Sequence, residues 1–362
     1  MLTKKHSLGV FRNSRLLLFV ALIIGLSACK KNEDSQTSQS PPAAKSMAVK
    51  TPVFNTKGQQ LLDPSGKTFI ARGVNLRFGD DPKARLQSIH AISMTGANLV
   101  RLQLRADTSA KQLQLAMDDI VKNGMAAMPY LWEVQGKITC TAEEAHIREL
   151  TETLWLGRWK TVLQDPKYQA HLLINIANEW GKGAWDSSSA DGYVSWLNTY
   201  KDLIPKFREA GYRVPLVIDA PGCGQDYKAF GQDRAKALVE ADPERNVVFS
   251  VHAYQAKWSN SGRIAAGLTG IRSIGLPVII GEFGGVRQPG FFAIEHMSLL
   301  EQTAGSRPIG WIASSWIGSE GEAKHLDMST EAGKLALTER GKEIVDGPFG
   351  IRKTVQSVSF QQ

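Results

Sequence analysis

The feature that most constrains this chain is an alternation that repeats eight times between residues 70 and 345: a short apolar run, then a longer stretch with helical spacing. The apolar runs fall at about Ile70–Asn75, Asn98–Leu104, Ala126–Leu131, Leu172–Ile176, Val214–Asp219, Val247–His252, Val278–Glu282 and Gly310–Trp316. Runs of this length without polar alternation read as strands buried on both faces, which is how parallel sheets are built. The stretches between them, Asp81–Thr95, Ala110–Asn123, Ala142–Leu163, Tyr193–Ala210, Asp233–Ala241, Gly262–Ile274 and Phe291–Gly305, carry helical periodicity, and one around Glu331–Val345 closes the set. Eight strands and eight helices predict an α/β protein, a single (β/α)8 TIM barrel rather than an open doubly wound sheet. No Gly-x-Gly-x-x-Gly follows a strand, which removes the main dinucleotide-binding reading, and no cofactor is expected.

The N-terminus reads differently. Lys4, Lys5, Arg12 and Arg15 precede the apolar run Leu16–Leu26, an arrangement of a basic region and a short hydrophobic region that predicts a signal peptide over residues 1–28. Leu26-Ser-Ala-Cys29 is similar to a bacterial lipobox, which implies cleavage before Cys29, its lipidation, and membrane attachment through that anchor. Lys30 is not the Asp that retains many lipoproteins at the inner membrane, so the expected address is the bacterial cell envelope at the outer membrane. An ordinary secretory signal is the alternative. Residues 29–52 are too polar to bury a core and predict a flexible tether. The folded catalytic part is expected over 53–362, opening with a β-hairpin, marked by Lys57-Gly58 and Asp63-Pro-Ser-Gly66, that plugs the closed end of the barrel.

Charge and cysteine content narrow the function. Subtracting the leader's four basic residues from the formal +8 leaves +4, dispersed along the chain, which argues against a nucleic-acid partner. Cys29, Cys140 and Cys223 are the three cysteines, with no zinc-type spacing, so no metal is expected. A disulfide between Cys140 and Cys223 is left open by the sequence.

Function in a barrel of this kind collects at the C-terminal strand ends. Those ends offer Asn75, Arg77, Arg101, Trp132, Glu133, Asn178, Glu179, Asp219, His252, Tyr254, Glu282 and Trp316. Two of the runs stop at a carboxylate, Leu172–Ile176 at Asn178-Glu179 and Val278–Ile280 at Gly281-Glu282, and paired carboxylates are what cleavage of a glycosidic bond requires.

The set resembles glycoside hydrolase family 5, the cellulase and β-mannanase group, most closely its bacterial β-mannanase branch. Matching segments are Arg72–Asn75, Thr95–Arg101, Ile174–Glu179, Asp219–Pro221 with Gly224–Asp226, Phe249–Tyr254, Pro277–Phe283, and Leu337–Gly341 with Asp346–Pro348, in order over residues 70 to 351. The resemblance implies a retaining endo-β-1,4-mannanase with Glu179 as acid/base and Glu282 as nucleophile. It further implies that Arg101 and Tyr254 hold Glu282, Asn178 binds the sugar 2-hydroxyl, His252 orients its neighbours and Trp316 stacks under the sugar. Trp132, Trp180 and Trp258, in strand-end loops, are expected to line the polysaccharide, whereas Trp155 and Trp159, at i and i+4 on a helical stretch, are expected to pack. Departures fall on the rim: Trp132 stands where the branch usually has His, Trp180 where it has Pro, and Cys223 where an aromatic is common. They leave a β-1,4-endoglucanase as the alternative within the same chemistry, and a non-catalytic glycan-binding surface lipoprotein as the alternative outside it.

Overall fold

The computed structural model describes residues 51–132, 143–183, 191–285, 290 and 292–360. The leader, Cys29, nearly all of the tether, Glu133, Cys140 and Trp185, a further tryptophan that the sequence places in a strand-end loop with Trp180 and Trp258, lie outside the described residues.

A short antiparallel hairpin, β1 (Asn55–Lys57) and β2 (Gln60–Leu62), is followed by eight parallel strands. These are β3 (Arg72–Leu76), β4 (Leu99–Leu104), β5 (Ala126–Leu131), β6 (Ile174–Asn175), β7 (Leu216–Asp219), β8 (Val247–Ala253), β9 (Val278–Phe283) and β10 (Trp311–Ala313). They close in sequence order, β10 pairing with both β9 and β3, so the barrel expected from the alternation is the one found.

Strand periodicity of two sorts the side chains into two cores. On β4, Val100 and Leu102 face outward into the shell of helices, and Leu99 belongs to the interior. The interior cluster collects one or two residues from the lower part of each strand: Ala71, Leu99, Ala126, Met128, Leu173, Val217, Val248, Ile279 and Ile312. Phe54, Leu61 and Phe69 from the hairpin region seal it from below, with Phe360 packed against Phe54 at 6.3 Å and on His171 at 3.9 Å. Two residues further along the same inward rows, or four for Asn75 past Gly73, the chemistry changes to Asn75, Arg101, Tyr130, Asn175, Asp219, Ser250 and Ser314, all buried. Each strand is therefore apolar at the closed end and polar at the open end.

The helices depart from expectation in detail. Asp81–Thr95 splits into Pro82–Leu86 and Ser88–Ser93. The stretch ending at Leu163 opens its hydrogen-bond spacing to a π-type pattern over Thr151–Arg158, where Trp159 N–H reaches Leu154 O. The helix expected around Glu331–Val345 begins at Glu339, because Thr338 caps it through Gly341 N–H while residues before it fold back as Ser329 pairs with Leu337. Trp155 and Trp159 pack edge to face at 4.9 Å in the helix shell, as their spacing predicts.

Candidate active site

Arg101 organises the open end. Its side chain is fully buried, lies 3.7 Å from the centre of the Tyr130 ring, and reaches five acceptor residues on or just past β3, β6, β7 and β9. Nη1 donates to Asn75 Oδ1 at 2.9 Å and to Glu282 Oε1 at 2.5 Å; Nη2 donates to Asn175 Oδ1 at 2.7 Å, Asn178 Oδ1 at 2.8 Å and Asp219 Oδ2 at 3.2 Å; Nε donates to Asn175 Oδ1 at 3.0 Å. A guanidinium taken out of water is costly unless its donors are matched, and here they are matched by two carboxylates and three amides. Register supplies the partners, since Asn75 is paired directly across the ladder from Arg101.

Glu282 ends β9 with both oxygens engaged. Oε1 accepts from Arg101, and Oε2 accepts from Tyr254 Oη at 2.5 Å and Ser314 Oγ at 3.3 Å. Burial alone would push this carboxyl up, but the facing His252, the Arg101 guanidinium and the Tyr254 hydroxyl outweigh it and hold it below the usual carboxylate value. Burial and the Glu282 charge drive the Tyr254 hydroxyl well above its ordinary value, so it stays a proton donor.

Glu179 is built differently. It sits just past β6 with φ 55°, left-handed backbone that costs a side-chain-bearing residue about 1–2 kcal/mol and is retained because neighbours hold it. Its N–H donates to Asp219 Oδ2 at 3.0 Å, and its Oε1 lies 2.7 Å from His252 Nδ1. Burial raises the Glu179 carboxyl, His252 draws it down, and the charges of Glu282 and Asp219 push it up again; the net direction is up. Burial lowers His252, but Glu282, Asp219 and Glu179 outweigh it and the imidazole is raised.

His252 reaches this position through a register shift in the β8–β9 pairing: consecutive Val251 and His252 face Ile280 and Glu282, leaving Gly281 of β9 unpaired. Two glycines clear the space for its ring: a Cβ on Gly224, whose φ is +75°, would stand 2.5 Å from the ring, and one on Gly281 would stand 3.0 Å from Nε2. Oxygens of Glu179 and Glu282 and a ring nitrogen of His252 all lie within 4.8 Å of one another. Retaining glycosidases bring their two carboxyls to about 5–5.5 Å, whereas inverting ones leave room for a water between them. Asn178 completes the pair: its Oδ1 is held by Arg101, and its Nδ2 is buried with no hydrogen-bond acceptor among the described residues, a donor available to a sugar hydroxyl.

The sequence profile described as Cellulase (glycosyl hydrolase family 5) matches residues 62–319, a span that holds all eight strands of the barrel. The chain belongs to glycosyl hydrolase family 5. It is 30% identical over 314 residues to the mannan endo-1,4-beta-mannosidase of Salipaludibacillus agaradhaerens, covering 83% of this chain and 93% of that one. It is 29% identical over 313 residues to the mannan endo-1,4-beta-mannosidase of Cellvibrio japonicus (strain Ueda107), covering 85% of this chain and 69% of that one. Among solved structures, the mannotriose complex of Thermomonospora fusca beta-mannanase superposes with a TM-score of 0.72 at 26% identity, covering 84% of this chain and 98% of that one.

The aromatic residues of this family 5 hydrolase need correction. Trp258 is fully buried, its ring packed over Gly267 and edge-on to Tyr227 at 6.0 Å, so it fills the helix shell and does not line a glycan path. Trp180 is 2% exposed and meets Tyr200 edge to face at 5.8 Å. Trp316 is likewise buried, with Nε1–H donated to Ala332 O at 2.9 Å, and the side chain that follows β10 to Glu282 is Ser314. In all three cases the apolar demand of the core outcompetes exposure at the rim. Trp132 keeps a partly exposed ring at the end of β5 and remains the aromatic candidate for sugar contact. Cys223 is disulfide-bonded; Cys140, with which the sequence left a disulfide open, lies outside the described residues.

Glu179, His252 and Glu282 are spaced closely enough to ligate a metal ion. Both Glu282 oxygens are already taken by Arg101 and Tyr254, and a cation there would also face the Arg101 charge, so the donor set suits proton and glycosyl transfer better than metal binding. Sequence reasoning left Asn175, Tyr130 and Ser314 out of the site. Asn175 carried a signal, since an amide inside the apolar run Leu172–Ile176 must find a buried partner, and it finds Arg101 and Asp219.

Proposed function

We propose that the chain is a retaining endo-β-1,4-mannanase that cleaves mannan or glucomannan by double displacement. The observation that carries this reading is the pair Glu179 and Glu282, close together yet held in opposite senses, one raised and one lowered. The ionised Glu282 carboxylate attacks the anomeric carbon and forms the new C–O bond; the bond to the leaving sugar breaks, and its oxygen takes the proton of Glu179. Glu179, now a carboxylate, removes a proton from water, whose oxygen attacks the same carbon and releases Glu282. Two displacements restore the starting anomeric configuration. Arg101 and Tyr254 hold the nucleophile, and Asn178 Nδ2 offers a donor to the 2-hydroxyl.

Mannan as the polymer is supported by the names of the relatives, each described as acting on mannan. A β-1,4-glucan differs in the orientation of one hydroxyl, worth only a few kcal/mol of discrimination, and defines the alternative. The test is reducing-sugar release from mannan, glucomannan and carboxymethylcellulose, with the anomer of the first product read by proton NMR. Release of the β-anomer from mannan is expected; release only from carboxymethylcellulose moves the assignment to a glucanase, and the α-anomer removes the retaining mechanism. Glu282→Gln is expected to bind mannan while losing turnover, and a wild-type protein that binds mannan without cleaving it would instead be the glycan-binding lipoprotein.

The leader adds an address to this proposal: acylation of Cys29 and attachment to the outer membrane, with residues 29–52 as the spacer between lipid and barrel. Incorporation of labelled fatty acid, lost in Cys29→Ser, together with membrane fractionation, tests it.

A further inference from the structure

Asp219 ends β7 with its side chain wholly buried, and its four side-chain contacts all go to other groups of the site. Oδ1 accepts from Asn175 Nδ2 at 3.2 Å; Oδ2 accepts from Glu179 N–H at 3.0 Å and Arg101 Nη2 at 3.2 Å, and lies 3.4 Å from His252 Nε2. Two of these contacts converge on one residue. The Glu179 N–H belongs to a left-handed peptide, and His252 turns its other nitrogen to the Glu179 carboxyl at 2.7 Å. Nε2 makes no hydrogen bond among the described residues, so this contact is one of charge, and the carboxylate opposite Nε2 favours a proton on that nitrogen. The contact to Arg101 carries less weight, because Arg101 keeps Asn75, Asn175, Asn178 and Glu282 without it.

We propose that Asp219 is a positioning residue for the proton donor: it holds the backbone of Glu179 and the ring of His252 so that the Glu179 carboxyl meets the leaving oxygen, while the nucleophile keeps its place through Arg101 and Tyr254. This rests on the retaining mechanism proposed above and assigns one half of it to a residue that touches no substrate. Breaking the bond to a sugar requires the Glu179 proton on the departing oxygen; breaking the bond to a dinitrophenolate does not, because that group departs as a stable anion. A defect confined to proton delivery therefore separates the two substrates, whereas a general loosening of the barrel lowers both.

The experiment compares wild type and Asp219→Asn on mannohexaose and on 2,4-dinitrophenyl β-mannobioside. The amide keeps an acceptor for Glu179 N–H but removes the charge facing His252. For the variant, kcat/KM is expected to fall by at least about 30-fold on mannohexaose and by less than about threefold on the aryl glycoside. Equal losses on both substrates, or none on mannohexaose, overturn the proposal. A wild-type protein inactive on both removes the glycosidase reading and this role with it. Should Asp219→Asn not fold, the imidazole 15N resonances of His252 in the wild-type protein decide: a protonated Nε2 supports the proposal, and a bare Nε2 overturns it.

Discussion

Nη1 of Arg101 lies 2.5 Å from Oε1 of Glu282, so the Glu282 carboxyl is held low by the facing His252 and by a guanidinium from another strand of the barrel that no solvent reaches. Removing one member of a buried pair leaves the other uncompensated, which costs about 3–5 kcal/mol. Arg101→Met is therefore expected to lose that much unfolding free energy in urea titration and, at neutral pH, nearly all activity. A variant as stable as wild type would show that the five acceptors around Arg101 do not depend on it.

Tyr254 donates to the other oxygen of Glu282 and helps hold its carboxyl low. Attack needs the ionised form, so activity rises with pH as Glu282 loses its proton. Tyr254→Phe removes a donor to the charged form, raises that carboxyl, and moves the acid limb of kcat/KM to higher pH. An acid limb that stays in place would separate Tyr254 from the ionisation of Glu282.

His252 links the site to stability. Its folded pKa stands above the ordinary 6.5, so between these two values the folded state binds more protons than the unfolded chain. The stabilisation is complete below 6.5 and is lost as pH rises through the folded value. In His252→Asn this component disappears, and the decline in unfolding free energy as pH rises above 6.5 is expected to be shallower than in wild type.

The tryptophans give a contrast between packing and recognition. Trp258→Ala empties a filled position against Gly267 and Tyr227 and is expected to cost about 3–5 kcal/mol of stability, with KM for mannan unchanged in whatever protein stays folded. Trp132→Ala, at a partly exposed ring, is expected to raise KM with a stability change below about 1 kcal/mol. Reversed outcomes would restore Trp258 to the substrate path.

The barrel was legible because its signal is periodic and repeated: β5 runs over Ala126–Leu131 as expected, and the other strand positions follow within a few residues. Glu179, Glu282, Arg101, Asn178, His252 and Tyr254 were legible because charged and amide groups stand out at the ends of apolar runs, and the structure gathers all six. Aromatic residues carry no such mark. A Trp in a strand-end loop suits both a sugar and a hydrophobic shell, and only three-dimensional packing separates Trp132 from Trp180, Trp258 and Trp316. Nor does sequence spacing reveal that Asp219 contacts both Glu179 and His252, because that proximity is made by the side-by-side pairing of β6, β7 and β8.

The hydrophobic floor formed by Phe54, Leu61, Phe69 and Phe360 with the lower ends of the strands has a bearing on how a polymer approaches. A blocked cylinder offers no passage along its axis, so a polysaccharide meets Glu179 and Glu282 only by way of the upper mouth.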